Sequence, residues 1–280
     1  IKKKITKQAI NIKGELIDLS EPKVMGILNI NEDSFFDGGK YNSIDKALLQ
    51  TERMLTDGAF FIDIGAASSK PGSPLIKPEE ELNILLPILQ ALINQFPETY
   101  FSIDTYNSKV AKEALNMGAS MINDIYAGRI DSEMFKTIAD FRVPYVLMHM
   151  QGTPKSMQKQ PQYNNITKEI KFDLIRQIQN ATAQGIRDLI VDPGFGFGKT
   201  VAHNYQLLRE LYSLTDLNCP ILVGVSRKSM IHKVLNTSPE MALNGTTALH
   251  AWSLERGASI LRVHDVKEAK ECIDLWTALQ

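Results

Sequence analysis

Apolar residues fall in short clusters along this chain, each followed by a polar or glycine-rich turn and then by a longer segment with helical spacing. Residues 8–20 are different. They alternate apolar and polar around Lys13-Gly14, which predicts a small hairpin ahead of the main body. From there the apolar clusters at 24–29, 60–64, 100–103, 120–122, 145–148, 187–191, 221–225 and 259–261 read as buried strands. A helix is predicted over 43–57, with Ala47, Leu48, Met54 and Leu55 on one side. Another starts at Pro78-Glu79-Glu80-Glu81, where proline and acids suit a first turn. Strand and helix alternate eight times with no second hairpin, so the pattern predicts a parallel (β/α)8 barrel, an α/β fold. No internal repeat or low-complexity linker interrupts it, and residues 1–280 read as one domain.

In such a barrel the C-terminal strand ends converge on one mouth, where the chemistry sits. Read at those ends, the chain supplies Asn29, Asp63, Asp104, Asn123, Asp192, Lys228, Arg262 and His264. Any one of them could cap a helix or join a structural ion pair. The whole set cannot be core, because buried carboxylates and amides are costly unless paired. The densest stretch is Asp192-Pro193-Gly194-Phe195-Gly196-Phe197-Gly198-Lys199. Its glycines permit backbone angles closed to other residues, and at least one phenylalanine is expected to offer a flat apolar face to a ligand.

Composition narrows the partner. The 280 residues carry a net charge of −1, with 22% charged and 44% hydrophobic residues, which fits a soluble globular protein and argues against nucleic acid. Lys2-Lys3-Lys4 reads as a solvated tail. Neither an apolar run of about 18 residues nor a secretory signal is present, so no membrane association is expected. Cys219 and Cys272 are far apart, which speaks against a disulfide framework and points to the cytoplasm.

Carboxylates and an amide suit a polar heterocycle with adjacent N–H donors, such as an aminopyrimidinone edge. Lys228, Arg262 and His264 suit an anion. A ring bearing a phosphate-like group is the implied substrate. The five histidines lack zinc-site spacing, whereas Mg2+ arriving with phosphate would need little more than one Asn or Asp. Ser226 and Ser229 have no partnered base evident in sequence, which disfavours a Ser-His hydrolase.

With these pieces in order, the chain resembles the dihydropteroate synthase family from about residue 24 to residue 276. The resemblance rests on Gly26-Ile27-Leu28-Asn29 with the loop to Gly39, Asp63-Ile64-Gly65 with Pro71-Gly72, Ser102-Ile103-Asp104-Thr105 and Met148-His149-Met150-Gln151-Gly152-Thr153-Pro154. The Asp192–Lys199 stretch, Ser226-Arg227-Lys228-Ser229 and Arg262-Val263-His264-Asp265 complete it. It implies condensation of 6-hydroxymethyl-7,8-dihydropterin diphosphate with 4-aminobenzoate to give 7,8-dihydropteroate and pyrophosphate in folate synthesis. It further implies a pterin site at Asp104, Asn123, Met148, Asp192 and Lys228, and a diphosphate site at Asn29, Ser69, Lys70, Arg262 and His264. Aminobenzoate would meet Phe197, Lys228, Ser229 and Pro71. Asn29 would carry Mg2+, and Asp104, Asp192, Lys228 and Asn29 would be the catalytic set, in a homodimeric class of transferase that sulfonamides target.

The chain departs from the family where Gly-Glu-Ser-Thr-Arg-Pro-Gly is usual: it has Ala66-Ala67-Ser68-Ser69-Lys70-Pro71-Gly72, a point charge in place of a planar cation. Asn31-Glu32 stands where Thr-Pro is common. The loops 30–40 and 66–74 are expected to order only on diphosphate, with aminobenzoate binding second. A pterin-binding methyltransferase would share the acids and amide but has no reason to keep Ser226-Arg227-Lys228-Ser229. A non-catalytic pterin binder would release no pyrophosphate.

Overall fold

The computed structural model describes residues 9–30, 39–67, 75–151 and 161–280, the side chains of residues 39–42 excepted. Loop residues Ser69, Lys70 and Pro71, and most of the loops 30–40 and 66–74, therefore lie outside the described residues.

Strands β1 (Ala9–Ile12) and β2 (Glu15–Asp18) form the expected antiparallel hairpin. Lys13 and Gly14 both take positive φ, 53° and 89°, the two-residue turn whose twist matches the strands it joins. Eight parallel strands follow: β3 (Lys23–Asn29), β4 (Phe61–Gly65), β5 (Tyr100–Asp104), β6 (Met121–Asp124), β7 (Tyr145–Met148), β8 (Leu189–Asp192), β9 (Leu222–Val223) and β10 (Ile260–Val263). They are ordered β8-β7-β6-β5-β4-β3-β10-β9. A parallel bridge between Val191 and Ile221, with the Val191 amide donating to Pro220 O at 2.9 Å, joins the two ends and closes the barrel.

Helices α1 (Gly39–Thr56), α2 (Pro78–Gln95), α3 (Ser108–Met117), α4 (Met134–Phe141), α5 (Ile166–Ala183), α6 (Val201–Arg209), α7 (Ser229–His232), α8 (Leu243–Glu255) and α9 (Val266–Ala278) lie between and after the strands. Their apolar faces bury the outward strand residues, among them Ile62, Ile64, Ile103, Leu147 and Leu261. None among the described residues is long and apolar enough to cross a membrane.

The strand period of two then sorts the barrel interior into layers. Met25, Phe61, Met121, Val146, Ile190, Leu222 and Ile260 form the lower layer, and Ile10, Ile12, Ile17 and Leu19 of the hairpin segment pack against it. The bottom of the barrel is thus a dry apolar plug. Two residues further along the same strands stand Asp63, Asn123, Met148, Asp192 and Arg262. Alternation alone therefore lifts the polar groups to the mouth.

Most strand bounds shift by one or two residues from the sequence reading, and two of the shifts have a clear cause. The run predicted at 187–191 pairs at Leu189–Asp192, because Arg187 is exposed and the inward positions begin with Ile190. The run at 221–225 pairs over three residues, Ile221 by its bridge to Val191 and Leu222–Val223 as β9, and beyond it Lys228 folds back above Gly224, where an added Cβ would lie 3.8 Å from Nζ.

Candidate active site

The turn after β8 is built from its glycines. Gly194, Gly196 and Gly198 adopt φ of +69°, +84° and +63°. A Cβ on Gly194 would sit 2.0 Å from His149 O, and one on Gly198 would sit 2.7 Å from Gln151 O, so the turn packs against the end of β7 too closely for any side chain. The Gly194 amide donates to Asp192 Oδ1 at 2.7 Å, fixing one carboxylate oxygen. Phe195 is fully buried, whereas the half-buried Phe197 lies with its ring 4.7 Å from Lys228 Nζ. The two phenylalanines thus divide as expected, one in the core and one facing the mouth.

Side chains pin this turn from several sides. Lys228 Nζ donates to Phe195 O at 2.5 Å, and Asn204 Oδ1 accepts from the Gly196 amide at 2.8 Å. Tyr163 donates to Gly198 O at 3.1 Å. Lys199, only 4% exposed, donates to Gly194 O at 2.7 Å and Phe197 O at 2.9 Å, and its Nζ lies 3.3 Å from His149 Nδ1.

Across the barrel, Arg262 bridges two carboxylates. Its Nε donates to Asp63 Oδ2 at 2.7 Å and its second amino nitrogen to Asp104 Oδ2 at 2.9 Å. Asn123 Nδ2 donates to the same Asp63 oxygen at 2.9 Å. Burial raises the Asp104 carboxyl to about 7; the Arg262 cation opposes that rise and the Asp63 charge adds to it. Burial likewise raises Asp192, against the pull of Lys228, and lowers Lys228 to about 8, against the pull of Asp192. The mouth therefore holds three carboxylates facing two cations, and two of the five, Asp104 and Lys228, are brought near neutral pH.

Beside this layer, the loops after β9 and β10 are stapled together. Arg227, in the left-handed region at φ 54°, makes paired bonds to Asp265 at 2.8 and 2.7 Å and also donates to Glu240 O at 2.6 Å. Ser226 Oγ lies 3.1 Å from His264 Nδ1 and accepts from the His264 amide at 3.2 Å. The sequence reading gave Ser226 no partnered base; the fold supplies one from 38 residues away. Ser226 is nevertheless 4% exposed, which denies it the access a nucleophile needs. His264 is exposed as a residue, yet desolvation at the mouth and the Arg262 cation hold its pKa down to about 4.

An apolar rim completes the mouth: Tyr106, Tyr126, Met148, Met150, Ile76 and Phe197 cluster, with Tyr106 edge-on to Tyr126 at 5.2 Å between ring centroids. The Ile76 amide donates to the Tyr106 hydroxyl at 2.8 Å, tying the segment before α2 to the loop after β5.

Of the residues marked in sequence, Asp104, Asn123, Met148, Asp192, Lys228, Phe197, Arg262 and His264 all stand at this end of the barrel. Ser229 opens α7 beside Lys228. Asn29 ends β3, exposed, and its Oδ1 converges with Asp104 over Gly65, where an added Cβ would lie 3.7 Å from the first and 3.6 Å from Asp104 Cβ. The described residues contain no cluster of three or more His, Cys, Asp or Glu able to cage a metal by themselves. A lone amide oxygen at an open strand end does fit Mg2+ that draws its other ligands from phosphate and water. Sequence reasoning did not select Lys199, His149, Tyr106 or Tyr126 as site residues. Lys199 and His149 stood inside the quoted motifs, but nothing in their spacing indicated that they meet.

Comparison with known proteins accords with this geometry. Residues 25–264 match the family model described as pterin binding enzyme. Dihydropteroate synthase of Escherichia coli (strain K12) is 42% identical over 263 residues, 93% of each chain, and that of Bacillus subtilis is 37% identical over 97% of this chain and 94% of its own. Among solved structures, Yersinia pestis dihydropteroate synthase in a sulfonamide drug complex superposes with a TM-score of 0.90 at 42% identity, covering 97% of this chain and 98% of its own. The Xanthomonas albilineans enzyme with 4-aminobenzoic acid gives 0.91 at 38% identity, over 98% and 99%. The same enzyme with 7,8-dihydropteroate gives 0.85 at 34%, over 98% of each chain. The chain belongs to the pterin-binding enzyme family and, within it, to the dihydropteroate synthases, transferases of folate synthesis.

Proposed function

We propose that this chain condenses 6-hydroxymethyl-7,8-dihydropterin diphosphate with 4-aminobenzoate, giving 7,8-dihydropteroate and pyrophosphate. The observation that carries the reading is the joint placement of Asp104, Asn123, Asp192, Lys228 and Arg262 at one barrel mouth, in a fold whose solved relatives hold 4-aminobenzoic acid or 7,8-dihydropteroate.

The pterin edge meets Asp192, whose second oxygen is left to accept from the 2-amino and ring N–H groups once Oδ1 is taken by Gly194. Asn123 and Asp104 face the same ring, and Met148 packs at its side. Arg262 and His264 hold the diphosphate. Ser226 has a part in that: if its hydroxyl donates to Nδ1, the His264 proton sits on Nε2, and a neutral imidazole then presents a donor outward. Asn29 would hold Mg2+ arriving with the diphosphate, and that ion would supply charge neutralisation of the leaving group.

The bond from the pterin methylene carbon to the diphosphate oxygen breaks first, because an arylamine is a weak nucleophile. The cationic pterin that forms is flanked by Asp104 and Asp192, carboxylates already oriented by Arg262 and Gly194, so little reorganisation is needed. The arylamine nitrogen, held against Phe197 and Lys228 near Ser229, then bonds to that carbon and releases one proton. No covalent enzyme intermediate is required. Ser69, Lys70 and Pro71 belong to the diphosphate and aminobenzoate sides of this reading by resemblance alone.

A homodimer in the cytoplasm completes the proposal. The exposed Trp252 on α8 and Leu275 on the adjacent α9, with Leu279 just past its end, offer apolar surface for a second copy, and both cysteines are buried and outside any disulfide. The deciding experiment is turnover: pyrophosphate should appear only when both substrates are present, one for each dihydropteroate formed. Binding of the pterin without pyrophosphate release would reduce the chain to a binding protein.

A further inference from the structure

Lys199 is a buried amine that the reaction as derived above does not use. A buried ammonium is costly unless every donor finds an acceptor. Its three N–H groups have three partners: Gly194 O at 2.7 Å, Phe197 O at 2.9 Å and His149 Nδ1 at 3.3 Å. The third contact requires Nδ1 to be unprotonated, which agrees with burial and the Lys199 charge holding the His149 ring neutral. His149 is itself fixed, because its amide donates to Asp192 O at 2.9 Å. One amine thus ties His149, just beyond β7, to Gly194 and Phe197 within the turn that follows Asp192.

We propose that Lys199 is a positioning residue for the second substrate: by holding the Phe197 carbonyl it fixes the Phe197 ring against which the arylamine lies. This rests on the function proposed above. The two ends of the turn are not held alike. Asp192 is the last residue of β8 and has its own bond from the Gly194 amide, so it is anchored without Lys199. The Phe197 carbonyl has Lys199 as its hydrogen-bond donor among the described residues, and the Phe197 ring is only half-buried. Gly194 O keeps a second donor, the Phe197 amide at 3.1 Å, a bond that holds the Phe197 nitrogen but not its carbonyl. Removing the amine should therefore loosen Phe197 far more than Asp192, and the aminobenzoate side should suffer while the pterin side does not.

The test uses Lys199→Met, which keeps length and loses the donors, and the milder Lys199→Gln. Each is measured alone and in a Phe197→Ala background, with wild-type turnover in the same assay as the control on the function itself. The expected result is a rise of at least about tenfold in KM for 4-aminobenzoate, equivalent to about 1.4 kcal/mol. The calorimetric Kd for the pterin substrate should stay within about threefold. In the Phe197→Ala background the same substitution should change aminobenzoate KM by less than about twofold, since the residue through which Lys199 acts is already gone. Equal losses for both substrates, an equal effect with and without Phe197, or failure of both variants to fold would each assign Lys199 to the fold alone and overturn the proposal. A wild-type protein without turnover would instead remove the function beneath it.

Discussion

Arg262 Nε and Asp63 Oδ2 are 2.7 Å apart in a pair whose carboxylate is fully buried, and the same oxygen also accepts from Asn123. One atom therefore orients a residue assigned to the pterin ring and one assigned to the diphosphate. Replacing Asp63 by Asn keeps the volume but removes the charge and puts a donor in competition with an acceptor. A charged buried hydrogen bond contributes about 1.5–3 kcal/mol. Asp63→Asn should accordingly lower kcat/KM for the pterin diphosphate by at least about tenfold, and it should weaken both the pterin alcohol and pyrophosphate in titrations. A loss confined to one of the two ligands would show that Asp63 does not couple them.

Asp104 makes the reaction sensitive to pH. In the free enzyme, burial raises its carboxyl to about 7, and kcat/KM reports the ionisations of the free enzyme. Below that value the added proton weakens the pair with Arg262 and removes negative charge from the pterin cation. The profile for pterin diphosphate should fall on the acid side of about pH 7. Asp104→Asn should be slower throughout and should lack that limb; an acid limb retained by the variant would assign it to another group.

Glu81 is a fully buried carboxyl in α2 that accepts from Asn107 Nδ2 at 2.5 Å. Burial raises its pKa above the ordinary 4.5. A raised carboxyl pKa means that the stability it confers is fully present below about 4.5 and is lost as pH rises through the folded value. Once ionised, the buried carboxylate is a burden, so Glu81→Gln should raise the thermal midpoint at pH 7. The difference should vanish when melting is repeated at or below pH 4.5. A destabilised variant at pH 7 would contradict this account.

Much of the barrel was legible because burial on both faces leaves strands as short apolar runs, and the period of two places Asp63, Asn123, Asp192 and Arg262 directly above an apolar layer. The glycines of the β8 turn could be read for the same reason: only glycine tolerates the positive φ and the 2.0 Å approach at Gly194. Pairings between distant residues were not legible. Nothing local joins Arg262 to Asp63, Ser226 to His264 or Lys199 to His149, because closure of the barrel brings them together and the sequence records only their types. Tyr106 and Tyr126 were passed over for a related reason: an aromatic two residues beyond a strand end reads as core until the rim is assembled.

If Asp192 reads the pterin edge, calorimetry of the pterin substrate with Asp192→Asn must register the change. The substitution keeps the shape and the bond from the Gly194 amide but presents a donor where the ligand also has donors. The expected loss is about 1.5–3 kcal/mol, roughly 10- to 150-fold in Kd, with the fold intact by circular dichroism. Unchanged affinity in a folded variant would contradict it.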